Sequence, residues 1–101
     1  MMFSIGSNVL DACVLSILTK GDSYGYKITQ ELKATVDISD STLYPVLRRL
    51  RKAGLVTSYN VEYDGRNRKY YKLTTKGKQT HKNNVREWEK YKKILDGFFL
   101  I

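Results

Sequence analysis

The stretch that decides the fold is STLYPVLRRLRKAGL, residues 41–55. At the 3.6-residue period of an α-helix, its leucines and valine share one face, and its hydroxyl, phenol and basic side chains share the other. Pro45 is tolerated only in the first turn, so we expect the helix to begin slightly upstream, capped by Ser39, Asp40 or Ser41. Such a helix suits the major groove of DNA, although a solvated basic helix has the same pattern.

Composition and charge favour an anionic partner. The chain has 101 residues, 42% of them hydrophobic, which is enough for one domain with a modest core. The formal net charge is +8, and residues 46–82 contain eleven basic and only two acidic side chains. A basic patch of this kind indicates nucleic acid first and an anionic membrane surface second.

Several other classes of protein fit the sequence poorly. Cys13 is the only cysteine, which excludes an internal disulfide and a cysteine-based zinc site. No charged leader follows Met1 and no stretch approaches the ~18 apolar residues of a membrane span, so we expect a cytoplasmic protein without a membrane partner. The chain lacks a glycine-rich phosphate loop, a cluster of metal ligands and a nucleophile beside a base. We therefore expect no enzyme activity, no cofactor and no metal.

The residues before the basic helix complete a helix-turn-helix. A first helix is predicted from one apolar stripe, which comprises Leu10, Cys13, Val14, Ile17 and Leu18. A second helix is predicted from about Tyr24 to Ala34, with Asp22 or Ser23 as its cap. Two short helices joined by a tight polar turn, the second of them basic, are typical of DNA-binding helix-turn-helix proteins.

A hairpin is predicted after Gly54, where the period of the sequence changes from 3.6 to 2. One strand alternates over residues 55–63, Asp64-Gly65 is a strong turn signal, and the chain returns as a strand over residues 70–74. The intervening residues 66–69 are predicted to extend the loop, where their cations can reach a phosphate or an adjacent groove. This pattern indicates the wing of a winged helix, and the alternative is a solubilising loop.

The last predicted helix carries more apolar surface than one small domain can cover. It is capped by Thr74 or Thr75 and runs to the end of the chain. Its apolar side includes Trp88, Tyr91, Leu95, Phe98 and Phe99. A partner helix is the simplest way to bury these side chains, so we expect a homodimer. In this dimer the last helix packs against the first helix and against the Phe3 and Ile5 lead-in of a second subunit.

The predicted fold is α+β and mainly helical. Residues 1–77 form a winged helix-turn-helix DNA-binding domain whose wing hairpin spans about 55–74. Residues 78–101 form an added C-terminal dimerisation helix.

These residues resemble the PadR family of bacterial transcriptional regulators. The matching motifs are SYGYKI at 23–28, TLYPxLxRL at 42–50, AGLV at 53–56 and RKYYKLT at 68–74. The single last helix resembles the family's small class. The resemblance implies a winged helix-turn-helix dimer that usually represses a nearby gene and is released by a small molecule or a stress signal. In some small-class members an aromatic residue of the last helix lines an interface cavity for flat hydrophobic compounds, and Trp88 resembles that position.

Two sets of site residues follow from the patterns and the resemblance. For double-stranded DNA with an inverted-repeat operator, the predicted contacts are Ser41, Thr42, Tyr44, Arg48, Arg49, Lys52, Arg66, Arg68 and Lys69. For a planar hydrophobic effector, the predicted contacts are Trp88, Tyr91 and Leu95, which would appear twice around a dimer axis. The alternatives are that Trp88 only fills the interface core, and that the chain is a basic winged-helix module for protein or RNA.

Overall fold

The computed structural model describes residues 7–101 as four helices and one three-stranded antiparallel sheet. The elements are α1 (Ser7–Leu18), β1 (Ser23–Tyr24), α2 (Gly25–Lys33), α3 (Leu43–Lys52), β2 (Val56–Tyr63), β3 (Arg66–Leu73) and α4 (Thr75–Phe99). The strand order is β1-β3-β2. The predicted fold class, α+β and mainly helical with a winged helix-turn-helix, is confirmed. Phe3 and Ile5, expected to join a dimer interface, lie outside the described residues.

One face of α3 is buried in the centre of the domain. Its four buried side chains are at most 3% exposed: Leu43, Val46, Leu47 and Leu50. They belong to a single apolar cluster with residues of α1, α2 and the sheet, among them Leu15, Ile28 and Val56. Full burial stabilises such a side chain by roughly 1.5–3 kcal/mol relative to exposure. The opposite face of α3 is therefore held toward solvent by the core.

The start of α3 differs from the prediction. The N-cap residue is Thr42, and its side chain makes no capping hydrogen bond, so capping by Ser39, Asp40 or Ser41 is wrong. The hydroxyls of Ser39 and Thr42 lie 2.8 Å apart and bond to each other instead. Pro45 is the third residue of α3, within the first turn as predicted. Cap candidates cluster here because the whole turn is polar, and the sequence does not distinguish between them.

The second helix begins at Gly25, because Ser23 and Tyr24 form the edge strand β1. The N-cap residue is Tyr24 and it makes no side-chain cap, so the prediction of Asp22 or Ser23 is wrong. Asp22 instead accepts a hydrogen bond of 2.6 Å from the Tyr59 hydroxyl of β2. A strand of two residues is too short to show a period of 2, so the sequence pattern could not indicate β1.

The wing is a hairpin with a two-residue turn. Asp64 has φ +50° and Gly65 has φ +74°, and a type I′ turn requires positive φ at both positions. Because the turn has only two residues, the pairing of β2 with β3 begins directly beside it, where Tyr63 pairs with Arg66. Residues 66–69 therefore belong to β3, and the prediction that they extend the loop is wrong.

The last helix is continuous from Thr75 to Phe99 and begins as predicted. The Thr74 hydroxyl accepts a hydrogen bond of 3.0 Å from the Gly77 amide, so Thr74 is the cap. The boundary that we expect between the DNA-binding domain and the dimerisation helix, at residues 77 and 78, falls inside the first turns of α4. At ~1.5 Å per residue, α4 accounts for much of the molecule's 56 Å long axis. None of the helices in residues 7–101 combines the length and apolar character needed to span a membrane.

Gly77 provides a test of how α4 is joined to the domain. A Cβ added at Gly77 would overlap the carbonyl oxygen of Leu55, which accepts a hydrogen bond from the Thr74 amide. We expect Gly77→Ala to lower the free energy of unfolding by ~1–3 kcal/mol, because the Leu55 backbone must move. The matched control is Gly97→Ala in the same helix, where nothing lies within 4 Å of an added Cβ. Equal free energies of unfolding for the two variants in urea would contradict this account.

Candidate nucleic-acid interface

A concave surface lies between α3 and β3, and we call it the basic groove. It has a volume of about 1020 Å³, and its cationic lining residues are Arg48, Arg51, Arg66, Arg68 and Lys69. The aromatic part of the lining includes Tyr24, Tyr26 and Tyr44. Among the described residues that line it, none is Asp or Glu. Because like charges converge on one concavity, the basic groove attracts a polyanion.

The basic groove unites five of the nine residues that the sequence predicts as DNA contacts. These five are Tyr44, Arg48, Arg66, Arg68 and Lys69. Ser41, Thr42 and Lys52 lie at the two ends of α3 and do not line the groove. They remain at the margins of the same helix, with Ser41 and Lys52 exposed.

Arg49 lies on the side of α3 that faces α1. Its Nη2 donates a hydrogen bond of 2.7 Å to Oδ1 of Asp11, and the two groups form a salt bridge. The hydrogen bond to Asp11 raises the pKa of Arg49. Asp11 lies 38 residues earlier in the chain, so no local pattern could reveal the pair. Arg49 therefore links two helices, whereas Arg48 lines the basic groove.

Sequence reasoning missed Arg51 and Tyr26, which also line the basic groove. Arg51 follows Arg48 by three residues, and this spacing places both on one face of α3. Tyr26 is 68% exposed at the start of α2. Tyr71 also lines the groove and is buried. Burial raises the pKa of its phenol, and the nearby charges of Arg51 and Arg48 oppose that rise. The i, i+3 spacing of Arg48 and Arg51 in the sequence could therefore have indicated that Arg51 lies beside Arg48 in the groove.

Two tyrosine rings hold Arg68 in place on β3. The carbon at the centre of its guanidinium lies 4.2 Å from the ring centroid of Tyr24 and 4.4 Å from that of Tyr63. Cation–π contacts restrict the plane of the guanidinium but leave its N–H edge open. Within residues 7–101 that edge makes no hydrogen bond or ion pair, so it is available to a phosphate.

A row of tyrosines joins β1 to the wing. The ring of Tyr70 lies 5.3 Å from that of Tyr24 and 5.8 Å from that of Tyr59. The Tyr59 hydroxyl donates a hydrogen bond to Asp22, and this bond raises the pKa of the hydroxyl. The short strand β1 thus holds the wing at a set position relative to α2.

A second concavity, the α1–α4 groove, contains two of the three predicted effector residues. It has a volume of about 660 Å³ and a mainly apolar lining that includes Val9, Cys13, Trp88 and Tyr91. Trp88 is 54% exposed and Tyr91 is 56% exposed. Leu95, the third predicted residue, lies further along α4 and does not line this groove. Burial raises the pKa of the Cys13 thiol, which favours its neutral form.

The chain matches the model of the transcriptional regulator PadR-like family over residues 14–83. It is 33% identical over 86 residues to Transcriptional regulator Rv3488 of Mycobacterium tuberculosis, covering 83% of this chain and 80% of that protein. The structure is similar to that of smu.1704 from Streptococcus mutans UA159, with a TM-score of 0.90 and 41% identity, covering 97% and 92% of the two chains. It is also similar to Bacillus subtilis PadR in complex with operator DNA, with a TM-score of 0.71 and 30% identity, covering 76% of this chain and 46% of that one.

Proposed function

The chain belongs to the PadR-like family of transcriptional regulators, and from this premise we propose that it binds double-stranded DNA in a sequence-specific manner. The observation that carries the proposal is the basic groove, in which five cations from α3 and β3 face one concavity. The similar Bacillus subtilis PadR was crystallised with operator DNA, which supports the same kind of partner for this chain.

The dimensions of α3 fit the proposed role. A helix with its side chains is about 10–12 Å wide and the major groove of B-DNA is about 12 Å wide. In our proposal the exposed face of α3 enters that groove, and Arg48 and Tyr44 reach base edges. Arg66, Arg68 and Lys69 then bind phosphates beside it or enter the adjacent minor groove. Arg49 is left out of this contact set because its guanidinium is paired with Asp11.

We propose that the protein acts as a homodimer. A two-fold pair presents two copies of α3, and an inverted repeat presents two identical half-sites. The exposed apolar surface of α4 supports this assembly, because Trp88, Tyr91, Ile94 and Phe98 are each more than half exposed. A contiguous apolar surface of this kind is typical of a protein interface.

We further propose a repressor that responds to a planar hydrophobic effector. In the dimer the α1–α4 groove would lie beside the interface, so a flat guest against Trp88 could alter how the subunits pack. The two α3 helices must lie ~34 Å apart to enter successive major grooves. A guest that favours another separation would weaken DNA binding and release the operator.

The first test compares Arg48→Ala with Lys69→Ala on a duplex that the wild-type chain selects from a random pool. We expect Arg48→Ala to weaken binding to the selected duplex about 5- to 150-fold more than binding to random duplex, because a base-edge contact is lost. Lys69→Ala should weaken binding to the selected and the random duplex alike, because a phosphate contact is lost. It should also reduce, by about one, the magnitude of the slope of log affinity against log salt concentration. Arg49→Ala is the matched control on the same helix, with a smaller effect on affinity than Arg48→Ala.

Two outcomes would contradict the proposal. If Arg48→Ala lost the same affinity for the selected duplex and for random duplex, Arg48 of α3 would not read the base sequence. Tighter binding to structured or single-stranded RNA than to the selected duplex would favour the RNA-binding alternative.

The second test uses Trp88, the only tryptophan of the chain, as a fluorescent reporter. We expect planar aromatic dyes to quench its emission saturably and to release labelled duplex at the same concentrations. In Trp88→Ala, the dye should no longer release the duplex. If no dye in a broad panel quenches Trp88 while Trp88→Ala still folds and dimerises, the effector proposal fails. If Trp88 only fills the interface core, Trp88→Ala should instead destabilise the dimer by ~3–5 kcal/mol.

A further inference from the structure

Gly25, the first residue of α2, lies against the ring of Tyr44. A Cβ added at Gly25 would lie 3.2 Å from Cε1, 3.3 Å from the hydroxyl oxygen and 3.4 Å from Cζ of Tyr44. These distances are shorter than the ~3.5–4.0 Å of an optimal van der Waals contact. The Tyr44 ring thus lies a few tenths of an ångström closer to position 25 than a Cβ there would favour.

The backbone of α2 does not itself require glycine at this position. The glycines with left-handed φ among the described residues are Gly21, Gly54 and Gly65, and Gly25 is not one of them. In a helix, alanine is ordinarily the more stable choice. The contact with Tyr44 is therefore the feature that distinguishes glycine from alanine at position 25.

The same contact sets where the Tyr44 phenol sits. One side of the ring lies on the first turn of α2, and 52% of the residue remains exposed. Tyr44 lines the basic groove beside Arg48. A ring that is supported on one side loses less conformational freedom when it binds a partner, so its contact is stronger.

We infer that Gly25 is a positioning residue for Tyr44: without a side chain at position 25, the Tyr44 ring packs closely on the first turn of α2, and this packing directs its hydroxyl to the operator. This inference rests on the proposed function, because it assigns the phenol a contact with DNA. An added methyl group at Gly25 would push the ring toward solvent by a few tenths of an ångström. The ring can move in this way because it is half exposed, so we expect the fold to survive and the contact of the hydroxyl to become longer and weaker.

The test is a double-mutant cycle on the full chain, with the selected duplex as the probe. We expect Gly25→Ala to weaken binding about fivefold or more, and Tyr44→Ala to weaken it at least as much. In the Tyr44→Ala background, Gly25→Ala should change the affinity less than about twofold, because no ring remains to be displaced. Thermal unfolding of each variant should show no loss of stability from Gly25→Ala. Gly97→Ala is the matched control, since its added Cβ meets nothing within 4 Å.

Tyr44→Phe separates the hydroxyl from the ring. It keeps the ring on Gly25, so we expect folding to be unchanged and binding to fall as in Tyr44→Ala. If Gly25→Ala does not fold, Tyr44→Phe still tests the inference. Unchanged affinity in Tyr44→Phe would show that the hydroxyl makes no contact with DNA, which would overturn the inference. Equal weakening by Gly25→Ala in both Tyr44 backgrounds, or no weakening in either, would overturn the inference. A wild-type chain that fails to prefer any duplex would instead overturn the proposed function itself.

Discussion

The candidate nucleic-acid interface depends on the burial of one face of α3. Leu43, Val46, Leu47 and Leu50 lie in the core, at most 3% exposed, and together they set the rotation of the helix about its axis. A shift of one residue, about 100°, would bring leucines to the surface and an arginine toward the core. Losing the burial of even two leucines costs several kcal/mol, and a buried unpaired guanidinium costs more. Apolar packing, rather than charge, therefore points Arg48 outward.

The wing is anchored in the core by Val56 and Leu73, and contacts between aromatic rings and a guanidinium add to this anchoring. Tyr24 of β1 packs on Tyr70 and on the guanidinium of Arg68, so the edge strand holds β3 at a set position relative to α2. Cations of two separate elements are thereby held around one groove despite their repulsion. A bound polyanion would relieve this repulsion, so the arrangement is more favourable with nucleic acid than without it.

The sequence predicted the elements with strong periodicity and missed the features that arise from tertiary contacts. The apolar periodicity of α1, α2 and α3, the alternation of the hairpin strands and the Asp64-Gly65 turn predicted the winged helix-turn-helix fold, and the resemblance to the PadR family implied the same fold. The two-residue strand β1 has no period, and the salt bridge of Arg49 joins residues far apart in sequence. The close approach of Gly25 to Tyr44 is likewise a property of packing between two helices. Sequence patterns thus predicted which face of α3 is buried and which is exposed, whereas the set of side chains that line the basic groove required the fold.

The most direct test of the proposal that the basic groove binds DNA is hydroxyl-radical footprinting of the full chain with and without the selected duplex. Exposed tyrosines lie both inside and outside the basic groove, and their oxidation reports which surface the duplex covers. Tyr26 and Tyr44 lie in the basic groove, whereas Tyr59 lies on β2, where its hydroxyl donates a hydrogen bond to Asp22, and each of the three is at least 41% exposed. If the basic groove binds DNA, the duplex should protect Tyr26 and Tyr44 from oxidation and leave Tyr59 unchanged. Protection of Tyr59 with continued oxidation of Tyr44 would contradict the account.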